Sequence, residues 1–103
     1  MYKEPVVVLV NRWTGSMGEG IAIGFDGMKR AKIVGTKMGK LAGGMWSFTL
    51  PNTKIRYSLP AEKIFHISGL PREDFVPGVL VKMDNSKGDK ILERGIREVG
   101  RRN

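Results

Sequence analysis

PVVVLVNRWTGSMGEG, Pro5 to Gly20, decides how this chain is read. Val6 to Val10 form an unbroken apolar run between a proline and Asn11. A short run of β-branched and aliphatic residues predicts a strand covered on both faces. Gly15 permits a tight turn that a Cβ would resist. Ser16 then stands where a helix begins, beside N–H groups that lack intrahelical partners and carry partial positive charge. Two roles suit a serine there. The N–H groups can stabilise the oxyanion formed when a hydroxyl attacks a carbonyl, which suits a nucleophile. Ser16 with Glu19 three residues on also has the pattern of a helix capping box.

The segment Met17 to Met28 mixes small and apolar residues and predicts a buried helix. Gly18, Gly20 and Gly24 each cost about 1 kcal/mol in an exposed helix, so close approach of other backbone is expected there. Their spacing is neither a dinucleotide fingerprint nor a phosphate-binding loop. AKIVG, Ala31 to Gly35, predicts a second strand, and strand–helix–strand implies a parallel pair. Thr36 to Gly44 is a glycine-rich loop. Met45 to Leu50 and Lys54 to Leu59 flank Pro51-Asn52 and predict a hairpin. Glu62 to Ile67 predicts a further strand, and Ser68 to Gly78 a loop. Asp89 to Arg102 predicts the terminal helix, with Asp89 as N-cap and with Leu92, Ile96 and Val99 facing a core.

At 103 residues the chain forms one small domain at most. It has no cysteine, which excludes disulfides and thiolate metal sites. No apolar run reaches membrane-spanning length, and no signal-peptide pattern is visible in residues 1–103. The net charge is +8, spread over both halves: seven Lys/Arg and three Asp/Glu in residues 1–52, eleven and seven in 53–103. The densest basic cluster, Arg94, Arg97, Arg101 and Arg102, is interleaved with Glu93 and Glu98. Glu93–Arg97 and Glu98–Arg102 have the spacing of helix-surface ion pairs. A nucleic-acid-binding domain is the rival reading of this charge, with Trp13, Trp46, Phe48, Tyr57 and Phe65 available to stack on bases.

Taken in order, VVVLVN, GSMGEG, Arg30-Ala31 and Ile33 to Gly35 resemble the catalytic core of the carboxyl-terminal processing (tail-specific) serine proteases, peptidase family S41. Tyr57-Ser58-Leu59-Pro60 and Gly69-Leu70-Pro71-Arg72-Glu73-Asp74 resemble later segments of the same family, and the terminal helix matches as well. The resemblance implies an α/β fold, a partial crotonase- or Clp-protease-like core with a βαβ unit, a hairpin and a C-terminal helix. Residues 1–103 would be the C-terminal portion of a catalytic domain, without its N-terminal part or its PDZ module. The style of the first strand likewise leads to the expectation of preceding sequence, or of another chain that completes the core.

The resemblance further implies that Ser16 is the nucleophile and that the Met17 N–H is half of the oxyanion hole. One branch of the family uses a Ser–Lys dyad. Lys40 in Thr36-Lys37-Met38-Gly39-Lys40 is then the base, with Lys37 next. The other branch uses Ser, His and Glu, and the Ser/Ala-poor form of GSMGEG leans this way. Its histidine precedes the serine, whereas His66, the single histidine, follows by fifty residues and reads as structural or exposed. Glu73 and Glu62 are the carboxylate candidates. The implied activity is hydrolysis of polypeptides through an acyl-enzyme, with no metal or organic cofactor. No nucleic-acid partner or membrane span is expected. An inactive scaffold of the same fold is the alternative. Family members are often periplasmic or secreted.

Overall fold

The computed structural model describes residues 1–84 and 87–101. Strand β1, Val7–Val10, leads through the Ser16 turn into helix α1, Met17–Gly27, and then β2, Lys32–Gly35. Strands β3, Gly43–Thr49, and β4, Arg56–Lys63, follow as a hairpin. A 3₁₀ turn at Arg72–Asp74, a two-residue strand β5, Val79–Leu80, and helix α2, Lys90–Val99, complete the chain. Two sheets result: a parallel one in the order β1-β2-β5, and the antiparallel β3-β4 pair. This is an α/β fold with the expected βαβ unit at its head.

The pleat explains the layering. Alternate residues of a strand face opposite sides. Val8, Val10 and Ile33 pack with Ala22, Ile23 and Phe25 of α1, together with Met38, Phe75 and Ile64. Leu9 points the other way, towards Gly95 of α2, where a Cβ would lie 2.5 Å from Leu9 Cδ2. One helix therefore covers each face of the parallel sheet. Gly35 closes the sheet against the first strand: its φ is +149°, and a Cβ there would fall 1.8 Å from the Val10 carbonyl oxygen. A side chain cannot occupy that point, so this short strand ends on glycine.

Several expectations change. The first strand is not covered on both faces: Val10 is buried, but Leu9 is 41% exposed. The ten-residue helix α2 on that face leaves part of the surface open. Helix α1 is half-buried, with Glu19, Ala22 and Ile23 inside. A Cβ at Gly24 would meet nothing within 4 Å, so the close approach expected there is not made. On α2 the buried residues are Ile91, Gly95 and Glu98. Leu92, Ile96 and Val99 are exposed, because glycine lets the adjoining stripe of the helix settle onto Leu9. Glu62 to Ile67 is not a separate strand. β4 runs on to Lys63, and only a single bridge joins Phe65 to Pro71. Strand β5 was not expected; it pairs parallel to β2 through Val34 and Gly35.

The ion pairs on α2 also differ. Glu98 is 4% exposed and holds Lys32 at 3.3 Å, Arg94 at 3.0 Å and Arg101 at 3.2 Å. Glu93 pairs with Lys90 at 3.7 Å. The Arg102 half of the expected Glu98 pair lies outside the described residues.

The hairpin projects from this body. The radius of gyration is 17.1 Å, against about 13 Å for a compact domain of this length. Cross-strand partners Trp46 with Leu59 and Phe48 with Tyr57 share one face, and all four are at least 36% exposed. Phe48 and Tyr57 stack with centroids 5.4 Å apart. A lone two-stranded hairpin is marginal in water, and an exposed apolar face of this kind marks an interaction surface. Among the described residues no helix is long and apolar enough to cross a membrane.

Candidate active site

The site begins where β1 ends. Asn11 starts a tightly bonded turn: Thr14 N–H donates to Asn11 O at 2.9 Å, Asn11 N–H to Thr14 Oγ1 at 3.0 Å, and Trp13 N–H to Asn11 Oδ1 at 2.8 Å. The chain then turns sharply at Ser16, with φ 55° and ψ −118°. L-residues rarely occupy this conformation, which costs on the order of 1–3 kcal/mol and persists only where the surroundings enforce it. Ser16 is exposed and sits at the C-terminal edge of a parallel sheet, where open α/β folds place their ligands.

The enforcing group is Glu19. The capping-box arrangement expected from the sequence is present, and its firm half is the bond from Ser16 N–H to Glu19 Oε2 at 2.8 Å. The Glu19 side chain is fully buried. Both of its oxygens also accept from Leu41 N–H at 3.2 Å. Met17 occupies the first helical position, where an N–H has no acceptor within the helix. That N–H is the next one along the chain from Ser16.

Lys40 belongs to the loop that Glu19 holds. Gly39 N–H donates to Thr14 O at 2.8 Å, and Leu41 is tied to Glu19, so both neighbours of Lys40 are fastened to the serine turn or its helix. Lys40 itself is exposed, with φ 62°. Lys37 is also exposed. It lines a cleft of about 760 Å³ with Asn11, Arg12 and Trp13 from the first turn, Thr36, Leu80, Met83 and Ile91. The cleft opens at the same sheet edge.

The remaining candidates make contacts of their own. Glu73 pairs with Lys63 at 4.0 Å through Oε1, and its Oε2 is buried with no hydrogen-bond partner among the described residues. Glu62 accepts from Trp46 Nε1 at 2.9 Å on the hairpin. His66 bridges Asp26 Oδ2 at 2.8 Å through Nε2 and Ser68 Oγ at 2.9 Å through Nδ1, and stacks on Phe75. Asp26 is ten residues along α1 from Ser16, a rise of about 15 Å. The histidine therefore ties down the far end of the helix.

Sequence reasoning gave Arg72 no role. It is 3% exposed, and its Nε donates to Leu41 O at 2.9 Å and its Nη2 to Gly43 O at 3.4 Å. A lone arginine after Leu70-Pro71 carries no local pattern; only the fold brings it 31 residues back to the loop. Among the described residues no group of three or more His, Asp or Glu converges to hold a metal ion.

Residues 1–74 match the family model of peptidase family S41. The chain belongs to that family, and membership supports a peptidase function in general. The match takes in the strand, the serine turn, the lysine loop and the hairpin, and ends on the 3₁₀ turn. Helix α2, which the sequence resemblance also drew in, lies beyond it. No curated protein matches the chain.

Proposed function

We propose that the chain carries the nucleophile of a serine peptidase. The Ser16 hydroxyl attacks the scissile carbonyl, an acyl-enzyme forms as the amine leaves, and water releases the acyl group. The carrying observation is the Ser16 backbone, held at φ 55° between a strand end and a helix N-terminus. Such an outlier is a reason to look for function at that residue. The Met17 N–H serves as one oxyanion donor.

Lys40 takes the hydroxyl proton in the dyad reading, supported by its seat on a loop fastened to the serine turn. Base work by lysine requires desolvation, so this exposed loop must be covered in the working enzyme. The triad reading has its own support. The orphaned Glu73 Oε2 is a buried acceptor that calls for a donor, and an imidazole from outside these residues would supply one. In either case we assign residues 1–103 to the C-terminal portion of a catalytic unit. The exposed hairpin face and the open side of the parallel sheet support a covering partner, either more of that unit or a second copy. Polypeptides are the substrate class.

The test is hydrolysis of an unfolded polypeptide by the protein at its full natural length. Ser16→Ala is expected to lower kcat by about ten-thousand-fold. Undiminished cleavage by Ser16→Ala would remove the assignment. Lys40→Ala with retained cleavage would favour the triad.

A further inference from the structure

We propose that Arg72 is a positioning residue whose guanidinium, acting with the Glu19 carboxylate, holds the Lys40 loop against the Ser16 turn. The inference rests on the reading above of Ser16 as nucleophile and Lys40 as base. One peptide lies at its centre. The N–H of Leu41 donates to buried Glu19, and the carbonyl oxygen of Leu41 accepts from buried Arg72. An anion grips one end of the peptide group and a cation the other.

The two ions are anchored independently of the loop they hold. Glu19 lies in the first turn of α1 and accepts from Ser16 N–H. The Arg72 backbone N–H donates to Ile64 O at 2.9 Å, just past β4. The loop between them, TKMGKLAGG, is rich in glycine, and glycine loses more conformational freedom on ordering than any other residue. Burying a carboxylate and a guanidinium is costly unless each is hydrogen-bonded, and here both are hydrogen-bonded to the Leu41 peptide. The outcome here is a fixed root for Lys40, whose φ of 62° is held from the next residue by the clamped peptide. An apolar pair could fill the same space, but it could not bond the Leu41 N–H and C=O.

Arg72→Ala and Arg72→Lys separate positioning from bulk stability. Amide exchange is read at Leu41, and kcat, KM and the acid limb of the pH profile are read on the protein at full natural length. In Arg72→Ala the Leu41 amide is expected to exchange at least about tenfold faster, while amides in the middle of α1 keep their protection. The expected kcat is about 10- to 100-fold lower with KM within about twofold, as for a misplaced catalytic group, and the acid limb moves. Arg72→Lys, with charge but no fork, should fall between. A folded Arg72→Ala with unchanged Leu41 exchange and an unchanged acid limb would overturn the proposal. If Arg72→Ala does not fold, the same comparison on Arg72→Lys decides, and wild-type behaviour there overturns it. Should the wild type show no reactive Ser16, the nucleophile reading fails while the exchange data still judge the clamp.

Discussion

The backbone N–H of Ser16 and that of Leu41 converge on a single buried oxygen, Glu19 Oε2, at 2.8 and 3.2 Å. The serine turn and the lysine loop therefore hang from one carboxylate, although 25 residues separate them in the chain (41 − 16). Removing that carboxylate strands two N–H donors. Glu19→Ala is expected to destabilise the fold by about 2–4 kcal/mol, measured as a lower urea midpoint at unchanged slope. A loss below about 0.5 kcal/mol would mean the carboxylate is dispensable.

Gly35 carries a different constraint. With φ at +149° and the Val10 carbonyl oxygen 1.8 Å from any Cβ, Gly35→Ala forces β1 and β2 apart. We expect a loss of about 2 kcal/mol or more, seen in thermal unfolding. The β1–β2 amides should lose protection relative to the wild type, while those of the β3–β4 hairpin change little.

His66 tests the placement of the base. It sits on Asp26, about 15 Å along α1 from Ser16. His66→Ala should cost about 1 kcal/mol or less, and should leave the reactivity of Ser16 within about twofold. A collapse of Ser16 reactivity in a stably folded His66→Ala would contradict the structural role of the histidine and make it the base.

Glu98 sets an acid limit. Its carboxyl is held below the usual range, first by the Arg94 hydrogen bond and then by Lys32 and Arg101, against an opposing effect of burial. A group whose folded pKa is depressed adds stability above its unfolded pKa, near 4.3 for glutamate, and loses it as pH falls towards the folded value. Unfolding midpoints should therefore drop as pH is lowered below about 4.3. Glu98→Gln should flatten that drop. An equally steep drop in Glu98→Gln would place the acid sensitivity elsewhere.

The head of the fold was legible because its signals are local. The Val6 to Val10 run, Ser16 and IVG each state a strand, a turn or a stop, and all lie within 31 residues (5–35); the glycine expected to make the turn, Gly15, has no left-handed φ, and the sharp bend falls on Ser16 instead. The hairpin was legible from Pro51-Asn52 for the same reason. Strand β5 was not, since two residues cannot show a period. The buried face of α2 was misread because hydropathy favours Leu92, Ile96 and Val99, whereas packing favours the stripe where Gly95 lets the helix close on Leu9. Glu19 was visible as the third residue after the serine, but its hold on Leu41 was not. Arg72 was invisible as a site residue, since nothing near it in sequence marks an arginine for burial.

The central claim is that the strained turn presents Ser16 as a nucleophile. A fluorophosphonate probe, followed by peptide mass mapping of the protein at full natural length, tests it most directly. One adduct is expected on the peptide containing Ser16, absent in Ser16→Ala and retained in Ser68→Ala. An unlabelled wild-type protein, or an adduct that survives Ser16→Ala and maps to Ser68 beside His66, would contradict it.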